Sequence, residues 1–425
     1  MRLHTPDESA DQLPEINFFY DRNDPAILYR IGLQLQVESR REEAVAFLAR
    51  AALLDPENAA IRNSMGNLFL ALRQWDKAEQ SLRHGLELDP NHKEILNNLG
   101  LVCKVKGDFD QAAAHYRKAL AVDPDFMQAQ DNLDFLYQNV VPSWHFSMMH
   151  DALRNEAYDR AITKAVKPGS LVFEIGTGAG LLAMMAARAG AERVITTEMI
   201  PSIAATAQEI VRLNGYDDRI TVLGKKSGDV LVGEDLPRQA DLLITETFDA
   251  GFLGEEAVPS IQHARDILIK PDAQIIPRAG TVFAALLESR ALWEECAVDR
   301  AAGFDLGPFN KFRENVSGKY VQNYPYRRLT GDVELFHFDF TGDPIQAESK
   351  NLVMDIQQSG TAHALIYWFR LFLDDEVILN TNIEDKSCWR VAVQTLDPPL
   401  PVTAGDGIPV RAQHNNRWIK LRLQP

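Results

Sequence analysis

Two glutamates nine residues apart, Glu246 and Glu255, bracket the run Thr247-Phe248-Asp249-Ala250-Gly251-Phe252-Leu253-Gly254. The apolar stretch Asp241-Leu-Leu-Ile-Thr245 predicts a strand that delivers Glu246 at its end, and the glycine-containing turn brings Glu255 back toward the same cleft. Two carboxylates converging on one place repel, and at least one is driven toward neutrality unless a cation comes between them. A guanidinium is always charged and presents a planar fork of donors, so it matches such a pair. Alone, each glutamate also has a plain reading: Glu246 as a strand-end acid, Glu255 with Glu256 as a solvated charge pair.

Upstream residues add a second chemistry. The short apolar strand Leu171-Val-Phe-Glu-Ile175 runs into Gly176-Thr-Gly-Ala-Gly180 and then a helix from Leu181 to Ala189, the parts of a ligand site at a helix N-terminus. A second strand, Arg193–Thr197, ends in Glu198, placed to accept the hydroxyls of a ribose. The dinucleotide fingerprint wants glycine at the sixth position of the turn, where Leu181 stands. Glycines at the first, third and fifth positions instead resemble motif I of the S-adenosylmethionine-dependent methyltransferases, in which the turn approaches the methionine part of the cofactor.

Taken together, the glutamate hairpin, these glycines and the segment Trp144-His145-Phe-Ser-Met-Met149-His-Asp151-Ala-Leu-Arg154 resemble the protein arginine N-methyltransferase family, from about Val141 to the C-terminus. The resemblance implies S-adenosyl-L-methionine as cofactor, bound by His145, Arg154, Gly176, Gly178, Gly180, Glu198, Ser227 and Gly228, with Arg154 on the cofactor carboxylate. It implies Glu246 and Glu255 as the catalytic pair and Asp151, Phe248, Asp249 and Trp389 about the substrate. Thr245–Glu255, Tyr367–Glu376 and Cys388–Val393 are most similar to the tetratricopeptide-bearing member that makes symmetric dimethylarginine, so a monomethyl or symmetric dimethyl product is expected. Two departures stand out: this chain has one methyltransferase module where that member has two. Ser387-Cys388-Trp389 also replaces the usual Thr-His-Trp, which removes the histidine that would face Asp151.

The front of the chain repeats with a period of 34: Asp55-Pro56, Asp89-Pro90 and Asp123-Pro124; Gly32, Gly66 and Gly100; Ala44, Ala78 and Ala112. Period and pattern resemble the tetratricopeptide repeat, a pair of antiparallel helices per unit. Small residues let the paired helices approach, and Leu48, Leu82 and Tyr116 share the face of each column alanine. The Asp-Pro pairs end each second helix, since proline lacks an N–H and disfavours helix in the residue before it.

The expected architecture is therefore multidomain. An extension over 1–24 precedes an all-α solenoid over 25–140, with three repeats and a capping helix. An α/β Rossmann-like methyltransferase fold follows over 141–279, and a β-barrel substrate domain over 280–425. By resemblance, an arm over about 289–326 docks on a second module, so a homodimer is expected.

The balance of 44 Lys+Arg against 60 Asp+Glu, net −16, argues against direct nucleic-acid binding and suits a cationic partner. No metal site is expected from three scattered cysteines, and neither a signal peptide nor a long apolar run is seen. A cytoplasmic enzyme acting on an accessible arginine of a protein or peptide is the leading expectation, with the repeats able to hold a client. The alternatives are methylation of a small guanidino compound or dedicated peptide, and a scaffold whose methyltransferase module is inactive.

Overall fold

The computed structural model describes residues 23–140, 144–385 and 387–424. Residues 1–22 of the expected N-terminal extension lie outside this description. The chain divides into two compact units, Met1–Pro142 and Ser143–Pro425.

In the first unit the repeat columns become helix pairs: α1 (Pro25–Val37) with α2 (Arg41–Leu54), α3 (Ala59–Ala71) with α4 (Trp75–Leu88), and α5 (Lys93–Val105) with α6 (Phe109–Val122), followed by α7 (Met127–Val140). Asp55, Asp89 and Asp123 are the C-cap residues of α2, α4 and α6, where the following prolines stop each helix. The glycine column has a direct steric cause. A Cβ built on Gly66 would stand 2.4 Å from Leu82, and one on Gly100 would stand 2.4 Å from a ring carbon of Tyr116. Both partners are wholly buried, so a hydrogen is all the first helix of each pair can present there. Helix α7 closes the stack by burying Ala129, Leu133 and Leu136.

The second unit opens with α8 (Trp144–Met149) and α9 (Ala152–Ala165). A five-stranded sheet follows, built from β1 (Leu171–Ile175), β2 (Arg193–Thr197), β3 (Ile220–Leu223), β4 (Ala240–Thr245) and β5 (Ile269–Ile276) in the order β3-β2-β1-β4-β5. All its pairings are parallel. Between strands run α10 (Leu181–Arg188), α11 (Pro201–Leu213) and α12 (Ala257–His263). Strand β1 is buried along its whole length, as a strand covered on both faces must be. The strand order reverses between β1 and β4, and in open α/β sheets that crevice is where ligands bind.

From β6 (Ala279–Glu288) onward the pairing is antiparallel. One seven-stranded sheet is centred on β6 and the strands Gly360–Phe372 and Val391–Val402; a second joins Glu348–Asp355, Gly407–His414 and Ile419–Leu423. A closed barrel was expected, but among the described residues the ladders form these two separate sheets, linked by the single bridge Thr330–Ile356, and a short two-stranded ribbon, Arg300–Ala301 with Phe304–Asp305. The boundary expected near 280 is bridged by packing. Phe248 and Phe252 of the glutamate hairpin share one continuous core with Phe338, Phe340 and Phe369 of the antiparallel strands. No helix among the described residues is long and apolar enough to cross a membrane.

Candidate active site

The glycine turn and Glu246 meet because β1 and β4 are neighbours in register, Ile175 opposite Thr245. The Thr245 hydroxyl donates to the Ile175 carbonyl at 3.1 Å and fastens the two strand ends together. Beyond β1, Gly176, Gly178 and Gly180 all have positive φ (85°, 50° and 79°), a conformation that L side chains rarely adopt. A Cβ on Gly176 would also strike Thr247 at 2.6 Å, whereas one on Gly178 meets nothing within 4 Å, so the turn leaves open backbone. Glu198, at the end of β2, accepts from the Gly178 N–H at 3.2 Å and from the Ile200 N–H at 3.0 Å. Each of its oxygens keeps further acceptor capacity beside the turn.

Glu174 was not singled out in the sequence, although a lone acid in the apolar strand LVFEI was the available signal. It is fully buried, and neither carboxylate oxygen has a hydrogen bond of normal geometry. Burial raises its pKa to about 8, while the Thr196 hydroxyl, the Arg154 charge and the Ala183 amide pull part of the way back. The open glycine turn and Glu198 fit a cofactor that carries both an ammonium and ribose hydroxyls, while the Glu174 carboxyl is sealed into the strand before the turn. Ser227 and Gly228 lie on a short turn, Ser227–Asp229, after β3, with open space at Gly228.

A cleft of about 210 Å3 lies alongside, with Glu246, Phe248, Asp249, Glu255, Cys388 and Trp389 on its walls and Trp144 and Met148 of α8 over it. Glu246 is buried, and its Oε2 takes both Nε (3.1 Å) and Nη2 of Arg154. Arg154 pairs with Glu246 in this structure, its Nη1 donates to Asn155 Oδ1 at 2.8 Å, and the guanidinium stands over the ring of Tyr158. Tyr158 in turn donates to the Thr245 carbonyl at 3.1 Å. Burial raises the Glu246 pKa, and the Arg154 charge opposes it.

Glu255 has a different environment. It has no hydrogen-bond or ion partner among the described residues, and it stands at the exposed mouth of the cleft. Hydration thinned by the surrounding concave wall comes first, then repulsion from Glu246, Asp249 and Glu198; together they push its pKa up to about 7. Asp249 accepts the Gly254 N–H at 2.9 Å and so ties the hairpin that carries both glutamates. Phe248 turns its ring into the aromatic core, 5.1 Å from Phe252 and 6.2 Å from Phe369.

Trp389 donates from Nε1 to the Phe248 carbonyl at 2.8 Å and sets its ring edge-on to Phe369, which locks it as a cleft wall. Asp151 caps α9 by accepting the Arg154 N–H at 2.9 Å, and its other oxygen accepts the main-chain N–H of Cys388 at 2.7 Å. Cys388 therefore occupies the seat opposite Asp151. Burial, then the charges of Glu246 and Asp151, raise its pKa and keep the thiol protonated. His145, on α8, stacks on Trp144 with ring centroids 4.0 Å apart. No group of residues suited to a metal ion occurs among the described residues.

The parallel sheet, the glycine turn and the acid after β2 define a nucleotide-type methyltransferase module. A family model described as ribosomal protein L11 methyltransferase (PrmA) matches residues 157–247, and two tetratricopeptide-repeat models match 38–99 and 94–126. The arginine N(omega)-methyltransferase of Streptomyces achromogenes subsp. streptozoticus is 35% identical over 287 residues, which are 67% of this chain and 79% of that one. Protein arginine N-methyltransferase 7 of Rattus norvegicus is 38% identical over 68% of this chain and 47% of its own length. Protein arginine N-methyltransferase 9 of Xenopus laevis is 30% identical over 67% and 39%. The chain thus spans less than half of these two animal relatives. Among solved structures, the Trypanosoma brucei PRMT1 enzyme-prozyme heterotetrameric complex with AdoHcy matches with TM-score 0.58 and 25% identity, covering 66% of this chain and 93% of that one. The chain belongs to the protein arginine N-methyltransferase family, enzymes that depend on S-adenosyl-L-methionine.

Proposed function

We propose that the chain methylates a guanidinium nitrogen of arginine in a protein or peptide, to the monomethyl or symmetric dimethyl stage. The observation that carries this reading is Glu255: an unpartnered carboxylate held near neutrality in a cleft already lined by Glu246 and Asp249. A bound cation would relieve that conflict with Glu255 ionised, and the Glu246–Arg154 pair is an instance of a guanidinium seated on the neighbouring carboxylate. The bound cofactor supplies a methyl group on a positively charged sulfur. The open turn Gly176–Gly180 and Glu198 are the residues suited to hold it, with His145 and Arg154 as further candidates and Ser227 and Gly228 at the adenine end.

Glu246 and Glu255 clamp the substrate guanidinium and draw its charge toward the nitrogens they bind, which leaves lone-pair density on the remaining one. Asp249 and Trp389 wall the site beside that nitrogen, with the Phe248 ring packed behind them in the core, the basis for favouring a monomethyl or symmetric dimethyl product. Positioning of this kind supplies about 7–11 kcal/mol of a barrier. Cys388 cannot act as the missing histidine, because its thiol holds its proton; the proton released on methylation leaves through a carboxylate or water.

The expected homodimer is supported by exposed aromatics on the arm, Phe304, Phe309 and Phe312, each about two-thirds or more exposed. The cysteines are free, as suits the cytoplasm. A second reading, arginine itself as acceptor, is favoured by the similarity to the Streptomyces enzyme named for that compound. Labelled methyl transfer to native-lysate proteins and to free arginine, each compared with Glu246→Gln, tests both readings, and mass spectrometry of the product reports the methylation state. No label above the variant on either acceptor would leave the scaffold reading.

A further inference from the structure

The strand Ile419–Leu423 lies at the edge of the three-stranded sheet and pairs only with Gly407–His414 among the described residues. Just beyond it, the Gln424 N–H donates to the Pro409 carbonyl at 2.8 Å, and the Asn415 N–H reaches the Trp418 carbonyl at 3.4 Å. Both contacts keep the register that sets Arg411 opposite Arg422. Bonded and non-bonded pairs alternate along an antiparallel ladder, so positions 418, 420, 422 and 424 spend their main-chain groups inside the sheet. Ile419, Leu421 and Leu423 therefore turn theirs to the open edge, each with an N–H and a C=O that have no partner among the described residues. Such an edge is a template for another strand.

The side chains decide which strand it accepts. Ile419 and Leu421 are buried, while Trp418, Lys420 and Arg422 alternate with them onto the solvent face. Arg411 of the neighbouring strand, also exposed, stands directly opposite Arg422, and like charges facing each other across a ladder are destabilising. Neither they nor Lys420 has an ion pair among the described residues; Arg411 has the Ser349 hydroxyl at 3.3 Å, whereas the nearby Arg417 is paired with Glu256. Asp355, an acid on the same face, sits at the far corner of the sheet across from Gly407.

These cations oppose pairing with a second copy, whose own Lys420 and Arg422 would add positive charge to the same face. A strand bearing carboxylates has no such conflict, and it relieves the repulsion between Arg411 and Arg422. A nucleic acid would meet the cations but leave the row of main-chain groups unanswered, whereas a polypeptide answers both. We propose that the strand Ile419–Leu423 captures an extended acidic segment of a partner protein, which joins the sheet as a further strand. Its main chain bonds to Ile419, Leu421 and Leu423, and its carboxylates sit on Lys420, Arg422 and Arg411. The inference is independent of the methyl-transfer reading, since none of these residues lines the cleft and the captured segment needs no arginine.

The probe is a fluorescently labelled, end-capped peptide of about nine residues alternating Glu and Thr, titrated with the full chain and followed by anisotropy. Two further versions carry N-methyl groups on every Thr or on every Glu. Only one edge of an extended peptide can face the sheet, so one version should lose about ten-fold or more in affinity and the other stay within about two-fold of the parent. The double variant Lys420→Glu, Arg422→Glu should lose the acidic peptide and bind an alternating Lys-Thr peptide more tightly than the parent chain does. Its melting temperature should not fall, because both side chains are exposed. The proposal is overturned if the acidic peptide fails to bind at millimolar concentration, if both N-methylated versions bind alike, or if the double variant leaves affinity unchanged. An oligothymidylate of equal charge binding as tightly as the peptide would also overturn it, by marking a general polyanion surface.

Discussion

The helical repeats and the glutamate hairpin solve opposite problems. In the repeats the columns fit one another locally: Gly66 vacates the space that Leu82 fills, and the same exchange recurs at Gly100 and Tyr116. In the hairpin and the strand beside it, demands are left unmet, with Glu174 of β1 lacking bonds of normal geometry, Glu246 dependent on a single arginine, and Glu255 without a partner among the described residues. Satisfied packing makes a scaffold, whereas electrostatic conflict preserved inside a well-packed unit marks the place where a ligand completes the structure.

The sharpest way to break the contrast is Glu246→Gln. Methyl transfer should fall about 10²–10³-fold, because an oriented charge at the reacting group is lost. The same change strands the buried Arg154, which should cost about 3–5 kcal/mol by chemical denaturation of the second unit. A variant that melts normally and turns over normally would remove Glu246 from the chemistry.

Next in size is a steric test of the repeats. Gly66→Ala forces a carbon to within 2.4 Å of Leu82 and should destabilise by about 1–3 kcal/mol, read as a lower melting temperature. Gly228→Ala, with nothing within 4 Å, should stay within about 0.5 kcal/mol of the parent. Equal effects would mean that the glycine column is not steric in origin.

Glu255 gives a pH signature. Its folded-state pKa of about 7 lies above its ordinary 4.5, so the folded chain binds more protons than the unfolded one between those values. Its contribution to stability is therefore greatest below about 4.5 and declines as pH rises toward 7. Capture of a cation requires the ionised form, so kcat/KM should climb through the same window and level off above it. Glu255→Gln should flatten both profiles; an unchanged pH–rate limb would assign the titration elsewhere. The smallest expected effect concerns Cys388. Its protonated thiol should react with iodoacetamide about ten-fold or more slowly than an unperturbed thiol at mildly alkaline pH, as followed by peptide mass mapping.

What the sequence revealed tracks how local each cause is. The helix pairs followed from a repeat whose glycine, alanine and Asp-Pro columns each act over a few residues, and the strand–turn–helix at Leu171–Arg188 followed from contiguous residues. The pairing of Arg154 with Glu246 joins positions 92 apart, and no spacing rule announces it. Glu174 escaped notice because its significance lies in the bonds it lacks, which only a packed neighbourhood reveals. The barrel expected after Ala279 rested on strand composition, whereas closure depends on ladder partners across long separations.

Asp151 reaches Cys388 through the main-chain N–H, a donor that every residue except proline owns. With Trp389 hooked to the Phe248 carbonyl on the other side, that loop is mounted by parts that do not depend on which side chain stands at 388. Substitution there can change the electrical character of the pocket while leaving its outline intact. Position 388 is in that sense an interchangeable fitting on a fixed bracket, and a chain can exchange its imidazole for a thiol without rebuilding the wall around it.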